Sequence, residues 1–353
     1  MVSTLLIEAS GSAAAIGEAI GRALRSILPE AIQRHRRSLE AQGIAWDLAL
    51  DIARRCRADL EEVLPRTAEE LHALAEAATI EVDALVSLNA LQETVFLARR
   101  LPLEEGCTSL ALPSAATADG SILLAHNEDA LSSRHEQVYV VRCRPADEPA
   151  FVAFAYGGLF LYQGVNEAGI GSIGNALHWN DIRIGVPKLF LYREVLRATS
   201  LAGAIRSTTL PERANGNNHL IATAEGEIYD VEVSGRHAAL HYIGNQPFAH
   251  TNHVLAPELR SNEEGDTLDS QLRRNRAQRL LELHIGRHSV ETVQEILSDH
   301  ANRPNAICKH LDPAGDGTTT RTIAALIVDV TKREIWVTAG QPCRQAFERF
   351  SLS

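Results

Sequence analysis

No stretch of this chain approaches the ~18 consecutive apolar residues that a membrane-crossing helix needs, so no membrane partner is expected. The first residues, Met1-Val2-Ser3-Thr4-Leu5-Leu6-Ile7-Glu8, lack a basic stretch followed by an apolar core, and no secretory signal is read there. Cysteine is sparse: Cys56, Cys107, Cys143, Cys308 and Cys343 are odd in number and widely spaced. That fits reduced thiols in a cytoplasmic protein better than a disulfide framework. Positive charge is short too, with 34 Lys and Arg against 45 Asp and Glu, a net −11. Nucleic-acid binders need basic faces, so no nucleic-acid partner is expected. Internal repeats, low-complexity linkers and Pro/Gly/Ser hinges are also missing. What is present is ordinary for a globular protein with a substantial core: 353 residues, 45% hydrophobic and 22% charged.

Texture divides the chain. Residues 11 to about 100 read as helical, rich in Ala and Leu and studded with Arg and Glu. There Thr67-Ala68-Glu69-Glu70 has capping-box form, with Leu71, Leu74 and Ala75 following at helical spacing. From Cys107 the pattern turns to strands: Gln137 to Cys143, Ala150 to Tyr156, Ile221 to Val233 around a Glu225-Gly226 turn, and Ile323 to Thr338 broken at Thr331-Lys332-Arg333. Helical spacing returns at Leu268 to Leu283 and Val290 to Ser298. A helical front on a strand-rich body predicts an α+β unit, with helices covering a mostly antiparallel sheet.

Glu105-Gly106-Cys107-Thr108-Ser109 is the stretch with the most chemistry in it. It leads into Leu110-Ala111-Leu112, an Asp119-Gly120 turn, and Ser121 to Asp129, a hairpin whose second strand ends in His126-Asn127-Glu128-Asp129. Cys107 reads either as a small buried hydrophobe or as a nucleophile. Gly106, with no Cβ, permits the bent backbone in which sulfur reaches the preceding carbonyl. Cutting that bond would expose an α-amine titrating near ~7.7–8.0, able to take the thiol proton.

Later segments supply partners for such a nucleophile, each with a plainer reading beside it. Antiparallel pairing returns Asp129 towards Cys107, to hold the new ammonium or orient the thiol, unless His126 to Asp129 is only a solvated strand end. In His250-Thr251-Asn252-His253 the Asn amide either donates to an oxyanion or stabilises a turn. Arg273 and Arg276 share a helix face in Asp269-Ser270-Gln271-Leu272-Arg273-Arg274-Asn275-Arg276, to bind a substrate carboxylate or merely to be solvated. Gly164-Val165-Asn166-Glu167-Ala168-Gly169-Ile170 reads as a glycine-shaped turn into a buried strand, from which Asn175 would line a pocket.

Taken in order, these segments, with Ile307-Cys308-Lys309-His310 and Gly340-Gln341-Pro342-Cys343, resemble the acyl-CoA:6-aminopenicillanic acid acyltransferase (isopenicillin N acyltransferase) family, also called the C45 peptidases. These belong to the N-terminal nucleophile (Ntn) hydrolases and are related to the choloylglycine hydrolases. The resemblance covers nearly the whole chain from Cys107. It implies a four-layer αββα sandwich and a zymogen that cleaves itself between Gly106 and Cys107. The helical segment 1–106 and the catalytic segment 107–353 would then stay associated. Carried over, Cys107 is nucleophile with its own amine as base, Asp129 is at the active centre, and Asn252 is in the oxyanion hole. His126, Asn175 and Arg273 fall at substrate-binding positions, with His126 where the choloylglycine relatives carry Arg.

The implied reaction is two-step acyl transfer through a Cys107 thioester. Water as acceptor makes the enzyme an amidase on small N-acyl amides, β-alanyl amines included, and this reading is placed ahead. An amine acceptor makes it an acyltransferase. No cofactor and no metal are expected, and a homo-oligomer is left open. Two other classes stay in view. His250, His253, Cys308 and His310 have zinc-ligand chemistry and would suit a zinc-dependent hydrolase. An inactive Ntn-like scaffold that binds a ligand is the other.

Overall fold

A computed structural model describes residues 4–100, 106–131, 137–311 and 320–352. Glu105 of the sequence motif lies outside the described residues. The chain begins with strand β1 (Leu5–Gly11). Six helices follow: α1 (Ala13–Leu24), α2 (Leu28–Ala41), α3 (Trp46–Val63), α4 (Pro65–Ala78), α5 (Val82–Asn89) and α6 (Leu91–Arg99). Next come β2 (Gly106–Leu112), β3 (Leu123–Leu131), β4 (Val138–Pro145), β5 (Phe151–Tyr156), β6 (Gln163–Asn166) and β7 (Ile170–Ala176). Helices α7 (Lys188–Arg197) and α8 (Leu201–Thr208) precede β8 (Asn217–Thr223), β9 (Ile228–Val233), β10 (Ala238–Ile243) and β11 (Phe248–His250). The chain closes with α9 (Leu268–Glu282), α10 (Val290–Leu297), β12 (Thr320–Asp329), β13 (Glu334–Ala339) and β14 (Glu348–Ser351).

The strands form two sheets, one ordered β1-β4-β5-β6-β7-β8-β9-β10 and the other β11-β2-β3-β12-β13-β14. Every strand pair is antiparallel except β1 with β4, which is parallel. The sheets stack face to face, β2 and β3 against β7, and β12 and β13 against β5 and β6. Helices α1, α7 and α8 cover the outside of the larger sheet, and α9 and α10 the outside of the smaller. This is a four-layer αββα sandwich. Its inner strands are covered on both faces, so every residue of β2 and of β5 is buried.

The helices lie where their spacing predicts, but the front segment is not purely helical. Ile7 and Ala9 of β1 are buried, and the strand forms an edge of the larger sheet. Ser12 then caps α1, its hydroxyl accepting from the Ala15 N–H at 3.2 Å. On that helix a Cβ at Gly17 would stand 2.0 Å from the Glu70 carbonyl oxygen, and one at Gly21 2.4 Å from that of Leu74. Absent side chains thus let α1 lie backbone to backbone on α4. Thr67 and Glu70 are not a capping box: α4 starts at Pro65, and both side chains point onward to α7.

That junction is ionic and buried. Arg193 of α7 donates to Glu70 (2.9 Å) and Glu148 (2.8 Å), and Arg197 donates to Glu148 (2.6 Å). The turns at Glu225-Gly226 and Thr331 to Arg333 and the helices α9 and α10 fall where the sequence puts them. The Asp119-Gly120 turn differs. Strands β2 and β3 are joined by residues 113–122, which include a 3₁₀ turn at Ser114–Ala116.

Candidate active site

Cys107 is the second residue of β2, which lies between β11 and β3 in the smaller sheet. The β2–β3 register sets Cys107 opposite Glu128, Ser109 opposite His126, and Gly106 opposite Asp129. Side chains alternate across a strand, so Cys107, Ser109, His126 and Glu128 share the face turned to the larger sheet. Asp129, one residue along, shares the opposite face with Gly106. The nearest carboxylate to the thiol is therefore Glu128, whose Oε2 lies 3.9 Å from Cys107 Sγ.

Two side chains hold Glu128 in place. His126 Nε2 donates to its Oε2 at 2.9 Å, and the Tyr156 hydroxyl donates to its Oε1 at 3.0 Å. On the other side of His126, Ser109 Oγ lies 2.9 Å from Nδ1 and 2.9 Å from Asn175 Oδ1. Asn175 in turn donates to Asn218 Oδ1 at 3.1 Å. His126 and Asn175 are thus fully buried beneath the thiol rather than on the cleft wall. Cys107, His126 and Glu128 bring three ligand atoms within 4.8 Å of one another, but the His126 and Glu128 atoms are engaged by the hydrogen bonds just described.

The backbone around the Gly106–Cys107 bond is clamped as firmly. The Cys107 N–H donates to Asn252 Oδ1 at 2.8 Å. Asn252 Nδ2 donates to the Ala176 carbonyl at 2.9 Å, which leaves its second N–H for a further acceptor. Arg273, 1% exposed, donates to the Cys107 carbonyl, to Thr108 Oγ1 (3.1 Å) and to Asn252 Oδ1 (2.8 Å). Its Nε donates to Asp269 Oδ2 at 2.9 Å. Every guanidinium nitrogen therefore serves the protein itself, and Arg273 positions the strand rather than facing the cleft.

Asp129 occupies the other side of that bond. Its Oδ1 accepts from Thr322 Oγ1 at 2.6 Å, while its buried Oδ2 has no hydrogen-bond partner among the described residues. A Cβ on Gly106 would lie 3.0 Å from that oxygen and 3.4 Å from Lys309 Nζ, so glycine leaves room for both groups. Lys309 Nζ also pairs with Asp269 Oδ2 at 2.9 Å. Burial pushes the Asp129 carboxyl up to about 6, against the pull of Lys309, Arg273 and Thr322.

That displacement has a sign that can be checked. A carboxyl raised in the folded state contributes stability that is full below its unfolded value near ~4 and is lost as pH rises through about 6. On a Cys107→Ala background, Asp129→Asn is expected to gain stability relative to its parent between pH 4 and 7. Urea midpoints across that range test it, and a difference that does not change with pH refutes it.

The thiol opens onto a cleft of about 490 Å³. One wall comes from the front segment, with Asn89 of α5 and Gln92 and Glu93 of α6. The other comes from Tyr156, Ala176, Lys188, Tyr192 and Asn217. Leu88, Leu91, Leu159, Leu161 and Leu189 stand among these polar groups, so the lining is mixed. Sequence reading missed Glu128, Lys309 and this front wall. Glu128 and Lys309 do stand in quoted motifs, but nothing local marks the face to which each side chain turns.

The His250 loop lies beside this centre. His250 Nδ1 contacts the Thr251 carbonyl (2.7 Å) and Nε2 contacts Glu232 (2.8 Å). Burial works against charge on His250, but Asp230 and Glu232 outweigh it and raise its pKa. Burial lowers His253 to about 4, and its Nδ1 meets Ser270 Oγ at 2.7 Å. Among the described residues, no group of three or more ligands joins His250 or His253 to Cys308 or His310. The four-residue zinc set read from the sequence does not form.

An αββα sandwich with a cysteine at the start of a core strand defines the Ntn-hydrolase class. Residues 115–344 match the family model of acyl-coenzyme A:6-aminopenicillanic acid acyl-transferase, and the chain belongs to that family. Similar solved structures include a mutant conjugated bile acid hydrolase from Clostridium perfringens, at 11% identity and TM-score 0.45, covering 70% of this chain and 97% of that one. Penicillin V acylase from Agrobacterium tumefaciens is also similar, at 11% identity and TM-score 0.44, covering 66% of this chain and 82% of that one. No helix among the described residues is long and apolar enough to cross a membrane.

Proposed function

We propose that this chain is a self-processing amidohydrolase whose nucleophile is Cys107. The observation that carries the reading is the clamped Gly106–Cys107 bond, with the thiol 3.9 Å from Glu128 on one face and the unpartnered Asp129 Oδ2 on the other. Before processing there is no α-amine to activate the thiol, and Glu128 takes that role. Cys107 Sγ attacks the Gly106 carbonyl carbon and its proton passes to Glu128. The C–N bond breaks, the Cys107 nitrogen leaves as a protonated amine, and Gly106 is left as a thioester. Water hydrolyses that ester, giving a Gly106 carboxylate, a free thiol and a free α-amine.

The mature site repeats the chemistry on a substrate amide. The α-amine now takes the thiol proton and returns it to the leaving amine. The second Asn252 N–H stabilises the oxyanion, with Ala176 fixing the amide's orientation. Water then releases the acid. An amine acceptor would instead complete the acyl transfer for which the family is named, and the cleft sets no barrier to either. A small N-acyl amide is the substrate class put to the test.

The test is to incubate purified protein with a panel of small N-acyl amides, quench in acid, and measure intact mass. Two chains are expected, the second starting at Cys107 and gaining the acyl mass on its thiol. An uncut protein that still hydrolyses the amides would sink the N-terminal nucleophile mechanism.

A further inference from the structure

Away from the cleft, four side chains converge on one point. His300 follows α10, Cys308 and His310 lie on the segment before β12, and Cys343 sits in the turn between β13 and β14. Their ligand atoms all lie within 4.8 Å of one another. The spacings are 3.1 Å for His300 Nε2 to His310 Nε2, 3.6 Å for Cys308 Sγ to His310 Nε2, 3.3 Å for Cys343 Sγ to His310 Nε2, and 3.7 Å between the sulfurs.

We propose that these four residues form a structural zinc site. Zinc–sulfur bonds of ~2.3 Å and zinc–nitrogen bonds of ~2.0–2.1 Å in a tetrahedron require edges of roughly 3.8 Å between sulfurs, 3.3 Å between nitrogens and 3.6 Å between unlike ligands. The four measured edges come within about 0.3 Å of these values. Hydrogen bonding explains the arrangement less well. Only one proton fits between two imidazole nitrogens, and thiols are weak donors. A disulfide needs sulfurs ~2.05 Å apart, far inside the observed spacing. Two thiolates and two neutral imidazoles are a closed, four-ligand zinc set, with no position left for catalytic water. Binding releases the two thiol protons to solvent and needs no oxidant.

The site ties the C-terminal turn to the segment that carries Lys309. Lys309, between two ligands in sequence, reaches Asp269 with its Nζ (2.9 Å). Its N–H reaches Thr322 Oγ1 (2.8 Å), and that hydroxyl donates to Asp129. The metal therefore braces the outer side of the Gly106–Cys107 bond without touching the reaction.

Protein made without a metal-affinity tag and kept in reducing buffer tests this. Elemental analysis is expected to find about one zinc per chain. After removal by chelator, Co²⁺ alone should give tetrahedral visible bands and a thiolate charge-transfer band. Cys343→Ser and His300→Ala alter exposed ligands, and each should weaken zinc binding by on the order of 100-fold or more. The cobalt spectrum of the wild type stands even where a variant misfolds. Wild type that takes up neither zinc nor cobalt, or that holds a Cys308–Cys343 disulfide in that buffer, overturns the proposal. So do folded variants that bind as tightly as wild type.

Discussion

Cys107→Ala is expected to leave a single 353-residue chain and to abolish amide hydrolysis. Removing the nucleophile removes both reactions at once, because the thiol that would open the Gly106 carbonyl is the one that would open the substrate's. The loss should be on the order of 10⁵-fold or more in kcat, as for other covalent nucleophiles. Cys107→Ser separates the two roles of the side chain. Its hydroxyl fits the site but is far harder to deprotonate, so slow and incomplete cleavage is expected. Intact mass over hours of incubation reads the processing, and amine release reads the hydrolysis. A Cys107→Ala protein that still splits before residue 107 would place the cut under an external protease and remove Glu128 from the first step.

Arg193→Ala is expected to cost about 3–5 kcal/mol of stability, because it strands the Glu70 carboxylate in the interior. Arg193 is 1% exposed, and the Glu70 it pairs with is completely buried. Its guanidinium also stands over Phe151, 4.9 Å from the ring centre, so packing is lost as well. Glu148 keeps Arg197, whereas Glu70 loses the cation it is hydrogen-bonded to. The consequence in a processed protein is specific. Glu70 lies before the proposed cut and Arg193 after it, so the variant should lose the 1–106 segment in size-exclusion chromatography at urea concentrations that leave the wild type whole. Replacing the pair together, Glu70→Leu with Arg193→Met, should recover most of that loss, since the buried pair is removed as a unit. A urea midpoint unchanged in Arg193→Ala would show that the junction rests on apolar packing instead.

The two carboxylates beside Cys107 show how far the sequence could be read. Glu128 and Asp129 are neighbours in one motif, and antiparallel pairing brings both back to Cys107. Which one meets the thiol depends on register, because a slip of one residue exchanges the two faces of a strand. Register here is set across residues 113–122, a connection too long for turn chemistry to fix, so Glu128 went unread as the thiol's neighbour. Arg273 is a second case. Its helix and its place in the motif were plain, yet its complete engagement by Cys107, Thr108, Asn252 and Asp269 was not. Asp269 is its i−4 neighbour on the same helix, but the partners on β2 and at Asn252 are remote in the chain and leave no local pattern.

Helices, turns and motif order were determined by the sequence alone, because each rests on residues close together in the chain. The 3.6 spacing of α9 and α10, the glycine turn at Gly226 and the Gly106-Cys107 pair are such features. Tertiary structure decided what meets what. It placed β1 at the edge of the larger sheet, turned Asp129 away from the thiol, and built the front wall of the cleft from α5 and α6. It also gathered His300, Cys308, His310 and Cys343, of which the sequence reading had joined only Cys308 with His310 and had passed over His300. The physical reason is the same in each case. These contacts join segments tens to hundreds of residues apart, and only the packing of two sheets between two helical layers fixes their distances.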